Sequence, residues 1–281
     1  MRLAPSGGMK LRFFALLVLT SSLPSCSNRG DQQAGGRIIA DSSGGTVALG
    51  IGSPRSYQPT SAKGSGAIAG TISLSGTPRD SIVAVGKDSK LCGDSANVAD
   101  MSSVANTLVW IDGISTGKPL PDARRETLTI ENCQIDPRVT AVVTKSTINI
   151  FSRDRVAHGP RFYREGASEP IASLHTVDAG QVVPSEKIAS APGIVEVRCD
   201  EHPFVRAYVA VFDHPYFAVT DEKGAFKIDG LPPGTYTVKL WHEGLAKPAA
   251  QRVVVGPNGT SRLDVALTLD AGTAAPSTVG R

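Results

Sequence analysis

Methionine is nearly missing from this chain: of 281 residues only Met1, Met9 and Met101 carry a thioether. Histidine is sparse as well, with five in all, too few in pairs to build a multinuclear metal cluster. The formal net charge of +3 is small and spread along the sequence, and no run of Lys and Arg is interleaved with aromatics, which sets nucleic acid aside as a partner. No long stretch keeps a helical period, so the body is expected to be mostly β. A nucleophile elbow, a His-Glu-x-x-His motif and paired carboxylates in one compact motif are all absent, and the expectation is a protein that is not an enzyme. Gly64-Ser65-Gly66 with Gly70 lacks dinucleotide-loop spacing and follows no strand. Asp221-Glu222-Lys223-Gly224 lacks the alternating carboxylates of a calcium loop and reads as a hairpin turn.

Long apolar runs are lacking too. Residues 13–19 are apolar, but a bilayer span needs about 20 such residues. With Lys10 and Arg12 before it and Ser25-Cys26 after it, this run reads as an export signal over 1–26, with Met9 offering a tighter start than Met1. Ser25-Cys26 resembles the lipobox of bacterial lipoproteins, although Pro24 is unusual there, so Cys26 is the expected lipidation site. The chain is then exported to the periplasm or cell surface and held to a membrane by lipid. Residues 27–65, rich in Gly, Ser, Asp and Gln, read as a flexible tether, and 270–281 as a disordered tail.

Lipidation of Cys26 leaves three cysteines in an oxidising compartment, and three cannot all pair. Cys92 and Cys133 each follow a strand-like stretch and are placed to staple neighbouring strands, a bridge worth roughly 4 kcal/mol on the loop-entropy model. Cys199 is the one left over. A free thiol in an exported protein is a liability unless it reacts or holds a metal.

With 41% hydrophobic residues the chain can bury a core. Short apolar or alternating runs, separated by Gly, Pro, Asn and Asp, predict strands at 67–74, 82–85, 107–111, 127–130, 140–143, 147–151, 194–199, 208–212, 216–220, 225–228, 235–241, 252–255 and 262–269. Many short strands with frequent turns argue for β-sandwiches. Turn chemistry tightens after Asp213, at 220–224 and again at Leu231-Pro232-Pro233-Gly234, which places a boundary between a domain at 66–212 and a smaller module at 213–269 that packs on it.

Cys199-Asp200-Glu201-His202 is the most informative motif. A thiolate and an imidazole close together, with His158 upstream, make the trigonal ligand set of a mononuclear copper site, which commonly adds a long axial Met. Here Pro203, Phe204, Val205 and Arg206 follow, and that Met is missing. Three strong ligands carry most of the affinity and the axial one mainly tunes the potential, so Val205 should raise it. The plain alternative is a buried thiol beside a surface histidine. His214 and His242, both next to aromatics and near Asp213 and Glu243, form a second candidate cluster, better read as hydrogen-bonded structural imidazoles than as ligands. His175 reads as a solvated histidine.

The span 193–243, with Cys199-Asp200-Glu201-His202-Pro203, His214-Pro215-Tyr216-Phe217-Ala218-Val219-Thr220-Asp221 and Trp241-His242-Glu243, resembles a bacterial family of secreted cupredoxin-like proteins fused to a carboxypeptidase-regulatory-like module. Ile148-Asn149-Ile150-Phe151-Ser152-Arg153-Asp154 leading to His158 matches its upstream part, and Cys92 and Cys133 resemble its paired cysteines. The resemblance covers roughly 67–269. It implies an all-β chain with a cupredoxin Greek-key sandwich followed by a smaller transthyretin-like sandwich. It also implies one copper ion on His158, Cys199 and His202, a single-electron role and a redox protein as partner. The family commonly has Trp-Met after His-Pro where this chain has Phe204-Val205, and a polar residue where it has Gly159. A non-catalytic envelope scaffold with a vestigial metal site is the alternative those departures allow.

Overall fold

The computed structural model describes residues 51–268 apart from 53–55, 62, 76–81, 100–102, 123, 175–176 and 246. The expectations for the signal and Cys26, most of the tether, His175 and the tail fall outside these residues. All described residues belong to one compact unit. The only helix among them is a single turn, so no described helix is long and apolar enough to cross a membrane.

Along the chain come first β1 (Gln58–Pro59), β2 (Gly66–Ser75), β3 (Ile82–Ala84), the helical turn α1 (Ser89–Cys92), β4 (Ser95–Asn97), β5 (Leu108–Ile111) and β6 (Thr116–Gly117). The middle of the chain forms β7 (Arg125–Glu131), β8 (Gln134–Asp136), β9 (Val139–Val143), β10 (Thr147–Ser152), β11 (Pro160–Arg164), β12 (Ala172–Ser173), β13 (Val182–Ser185), β14 (Gly193–Cys199) and β15 (Arg206–Phe212). The last part gives β16 (Phe217–Val219), β17 (Ala225–Leu231), β18 (Gly234–Trp241), β19 (Ala249–Val255), β20 (Thr260–Arg262) and β21 (Val265–Thr268). The chain is all-β.

The middle strands make one sandwich from two mixed sheets, ordered β13-β10-β7-β8 and β12-β11-β14-β15-β9. Parallel pairs β7·β10 and β9·β15 require the chain to cross between sheets, as in a Greek key. Period-two alternation fills its core: Leu128 and Ile130 from β7, Ile148 and Ile150 from β10, Val195 and Val197 from β14, and Ala207, Val209 and Val211 from β15.

The second sandwich has sheets β16-β5-β18-β19 and β17-β2-β20, with β21 also on β2. This redraws the expected division at Asp213. β2 and β5 precede the first sandwich in sequence, yet β2 pairs with β17, β20 and β21, and β5 with β16 and β18. The first sandwich is therefore an insert between β5 and β16, not a domain spanning 66–212 followed by a separate module at 213–269. Strand pairing over such a distance leaves no local trace, because each strand's pattern is satisfied whichever neighbour it finds.

The tether also ends before residue 65. Ile51 is buried, β1 pairs with β6, and the Tyr57 hydroxyl donates to the Lys118 carbonyl at 2.6 Å. The turn at Asp221 is as expected: its carboxylate accepts from the Lys223 and Ala225 amides, both at 2.9 Å. Gly224 there has φ +73°, and a Cβ would lie 2.2 Å from the Ile72 carbonyl oxygen, so only glycine fits.

Both faces of β5 and β15 are covered. Val109 and Ile111 point into the second sandwich, while Leu108 and Trp110 meet Ala210 and Phe212 of β15 in a third cluster with Trp241 and Ile194. That cluster joins the sandwiches. Arg138 reinforces it through a bidentate pair with the buried Glu243, Nε to Oε1 at 2.7 Å and Nη2 to Oε2 at 2.8 Å.

Candidate metal centre

Alternation along β14 sends Val195, Val197 and Cys199 into the insert's core, so the thiol at the strand's end faces inward and is buried. Pro160 of β11 lies opposite Cys199 in register, and the Asp200 amide donates to the Gly159 carbonyl at 3.1 Å. This brings His158, just ahead of β11, beside the end of β14. Its own carbonyl accepts from the Val177 amide at 2.9 Å. Between β14 and β15 the chain folds back through a turn in which the Val205 amide donates to the His202 carbonyl at 2.8 Å, and His202 comes over Cys199.

The three side chains converge as the sequence predicted. Cys199 Sγ stands 3.8 Å from His158 Nδ1 and 4.0 Å from His202 Nδ1. The two rings are 4.9 Å apart at 48°. With metal–sulfur bonds of about 2.3 Å and metal–nitrogen bonds of about 2.0–2.1 Å, donors spread trigonally around one ion stand about 3.8 Å apart. The residues fit an ion at that spacing, and His158, Cys199 and His202 are 0%, 4% and 1% exposed.

Each imidazole is held from behind by a carboxylate. His158 Nε2 lies 2.9 Å from Asp154 Oδ2, and the same buried carboxylate accepts from the Asn132 and Cys133 amides at 2.7 and 2.8 Å. His202 Nε2 lies 3.2 Å from Asp88 Oδ2. A carboxylate at Nε2 fixes the proton there and leaves the Nδ1 lone pair facing Sγ, the outer-shell pattern common to histidine ligands. Sequence reasoning assigned neither aspartate. Asp154, four residues before His158, had a local signal. Asp88 had none, since it arrives from β3–α1–β4, outside the insert.

That segment is bolted down. Cys92, the last residue of α1, is bonded to Cys133, with Cα atoms 5.2 Å apart, and Cys199 is the free cysteine among the described residues. The exposed Lys87–Glu201 pair at 2.8 Å adds little by comparison. Beside the bridge lies a hollow of about 330 Å³ lined by Cys92, Cys133, Asn132, Arg138, Phe204 and Val205, among others. Val205 is buried in the same core cluster as Cys199.

Burial sets the electrostatics. It holds the His158 imidazole below the usual histidine range, with Asp154 pulling the other way. It pushes the Cys199 thiol up, opposed by hydrogen bonding to the backbone at Gly159, His202 and Glu201. Occupation by a metal therefore has to displace the thiol proton.

His214 and His242 do not come together. The Tyr216 amide donates to His214 Nδ1 at 3.2 Å, and the ring sits among Tyr57, Phe212 and Tyr216. His242 Nε2 donates to the Ser103 carbonyl at 3.1 Å, and its Nδ1 accepts from the Gly244 amide at 3.1 Å. Both are satisfied separately, and no metal-ligand grouping among the described residues includes either.

Burial lowers His214 to about 4. Protonation of the unfolded chain, near 6.5, thus precedes that of the folded one. Its stabilising effect is complete above about pH 6.5 and is lost as pH falls toward 4, on the order of 3 kcal/mol in all. Denaturant unfolding of wild type and His214→Phe between pH 7 and 4 should show a steeper loss in wild type. Parallel curves would refute this.

Residues 192–268 match the family model of the carboxypeptidase regulatory-like domain, a stretch running from just before β14 to the end of β21. No curated protein matches. Among solved structures, a purple cupredoxin from Nitrosopumilus maritimus is 16% identical over 30% of this chain and 97% of its own, with a TM-score of 0.28. A copper-containing nitrite reductase from Thermus scotoductus SA-01 is 18% identical over 37% of this chain and 24% of its own, at 0.28. A reduced, Cu(I) form of an amicyanin variant is 20% identical over 30% of this chain and 79% of its own, at 0.26. The likeness to each of these structures is to part of this chain only.

Proposed function

We propose that this protein is a mononuclear copper protein of the cell envelope that carries single electrons and is not an enzyme. One observation carries the reading: the donor atoms of His158, Cys199 and His202 lie within 4.8 Å of one another, all buried. Copper bound there would supply a one-electron couple whose thiolate and imidazole donors suit it in both states. The protein's part is to hold the donors still. The β14–β11 pairing fixes Cys199 against His158, Asp154 and Asp88 fix the imidazole tautomers, and burial keeps water and anions off the ligands. Export, a lipid anchor at Cys26 and a redox protein as partner complete the proposal.

The test is copper titration of the soluble body, read by native mass spectrometry and visible absorption. About one ion per chain with an intense band is expected. Uptake unaffected by His158→Ala, without such a band, would overturn the reading in favour of the envelope scaffold with a vestigial site, which the substitution of Val205 for Met favours. Val205→Met should keep the colour and lower the potential, because a thioether stabilises the oxidised ion. Each tenfold gain in that preference lowers a one-electron potential by about 59 mV. An unchanged or raised potential on electrochemistry would show that Val205 does not occupy the axial place.

A further inference from the structure

Behind the two histidines lies a second set of donor atoms. The sulfurs of Cys92 and Cys133 and a ring nitrogen of His202 all lie within 4.8 Å of one another. As a disulfide the two sulfurs are poor ligands, because it is thiolate that binds metal. We propose that the Cys92–Cys133 bridge is a latent metal site: reduced to thiols, Cys92 and Cys133 join His202 in a sulfur-rich ligand set for a soft monovalent ion such as Cu(I).

Two further observations support it. The bridge is reachable, since both cysteines line the 330 Å³ hollow and Cys92 is half-buried there. The donors are also already assembled, because β7 and β8 hold Cys133 from one side while the His202 turn is held by β14 and β15. Reduction needs a partner dithiol. It gives two electrons and two protons to the bridge and becomes a disulfide itself, the S–S bond of Cys92–Cys133 breaks, and each sulfur leaves as a thiol. Binding Cu(I) to the thiolates then releases their protons to solvent. Thiolates select Cu(I) over hard ions.

His202 is common to both sets, but the latent site does not require Cys199, so Cys199→Ser isolates it from the centre proposed above. Anaerobic titration of Cys199→Ser with Cu(I), against a chromophoric chelator, should give no uptake with the bridge intact. One equivalent is expected after treatment with a small dithiol. Adding His202→Ala should weaken that uptake by more than the ~10–100-fold that outer partners of a metal site contribute. Circular dichroism and a thiol count on the same samples establish a folded, reduced protein. No uptake after reduction, a bridge that resists the dithiol until the protein unfolds, or uptake indifferent to His202→Ala would each overturn the proposal. A coloured wild-type Cu(II) complex with any of these results would leave the first centre standing alone.

Discussion

Copper(II) added to the Cys199→Ser variant is expected to leave the solution colourless, and added to the wild-type protein to turn it intensely coloured. The colour of such a centre comes from charge transfer out of a thiolate, and Cys199 is the free thiol among the described residues. Serine keeps the size and burial but offers a hard hydroxyl that holds its proton, so both the band and much of the soft-donor affinity go with the sulfur. The substitution is mild for the fold, since Cys199 is the last residue of β14 and a hydroxyl can keep the thiol's backbone hydrogen bonds at Gly159, His202 and Glu201. Visible absorption and native mass spectrometry on the same titration check both effects. A band that survives Cys199→Ser would mean that copper is held elsewhere.

Asp154→Ala should be the most damaging single change near the centre. The carboxylate satisfies three donors at once, the Asn132 and Cys133 amides and His158 Nε2, and is 2% exposed. Removing it leaves these groups buried and unpaired, each worth about 1–3 kcal/mol, so a loss of roughly 3–5 kcal/mol in unfolding free energy is expected with some relief from entering water. His158 also loses the partner that fixes its tautomer, which lowers metal affinity by about 10–100-fold. Asp154→Asn should fall between, because one oxygen remains while the amide group faces donors with donors. Denaturant unfolding and copper competition measure the two losses. Wild-type stability in Asp154→Ala would show that the carboxylate does not anchor this corner.

The convergence of His158, Cys199 and His202 was legible because it rests on residue type and short spacing: Cys199 and His202 share one turn, and His158 precedes the strand that pairs with β14. Strands with a clear apolar alternation, such as β7, β10, β14 and β18, were legible for the same local reason. β8, β11 and β13 were not. Gln134–Asp136 and Val182–Ser185 carry too little apolar pattern, and Pro160–Arg164 buries only Pro160 and Phe162, with the charged Arg161 between them and Arg164 at its end. The pairing Cys92–Cys133 was expected from the cysteine count, strand-end placement and the family resemblance, but its consequence, the delivery of Asp88 to His202, was not. Which sandwich β2 and β5 join was equally hidden, because both strands would read the same beside any apolar neighbour.

The insertion also sets a clock on synthesis. Trp110 of β5 finds its partner Phe217 only after roughly a hundred further residues have left the ribosome, a wait of about 5–20 s at usual elongation rates. The inserted sandwich can close on its own core during that interval, whereas Leu108, Val109, Trp110 and Ile111, all fully covered in the finished protein, hang unpaired behind it. A four-residue apolar strand bare for seconds is a ready target for holdase chaperones and for wrong pairing between nascent chains. Slowed translation between β15 and β18 would lengthen that exposure, and its cost would fall on yield, not on the finished fold.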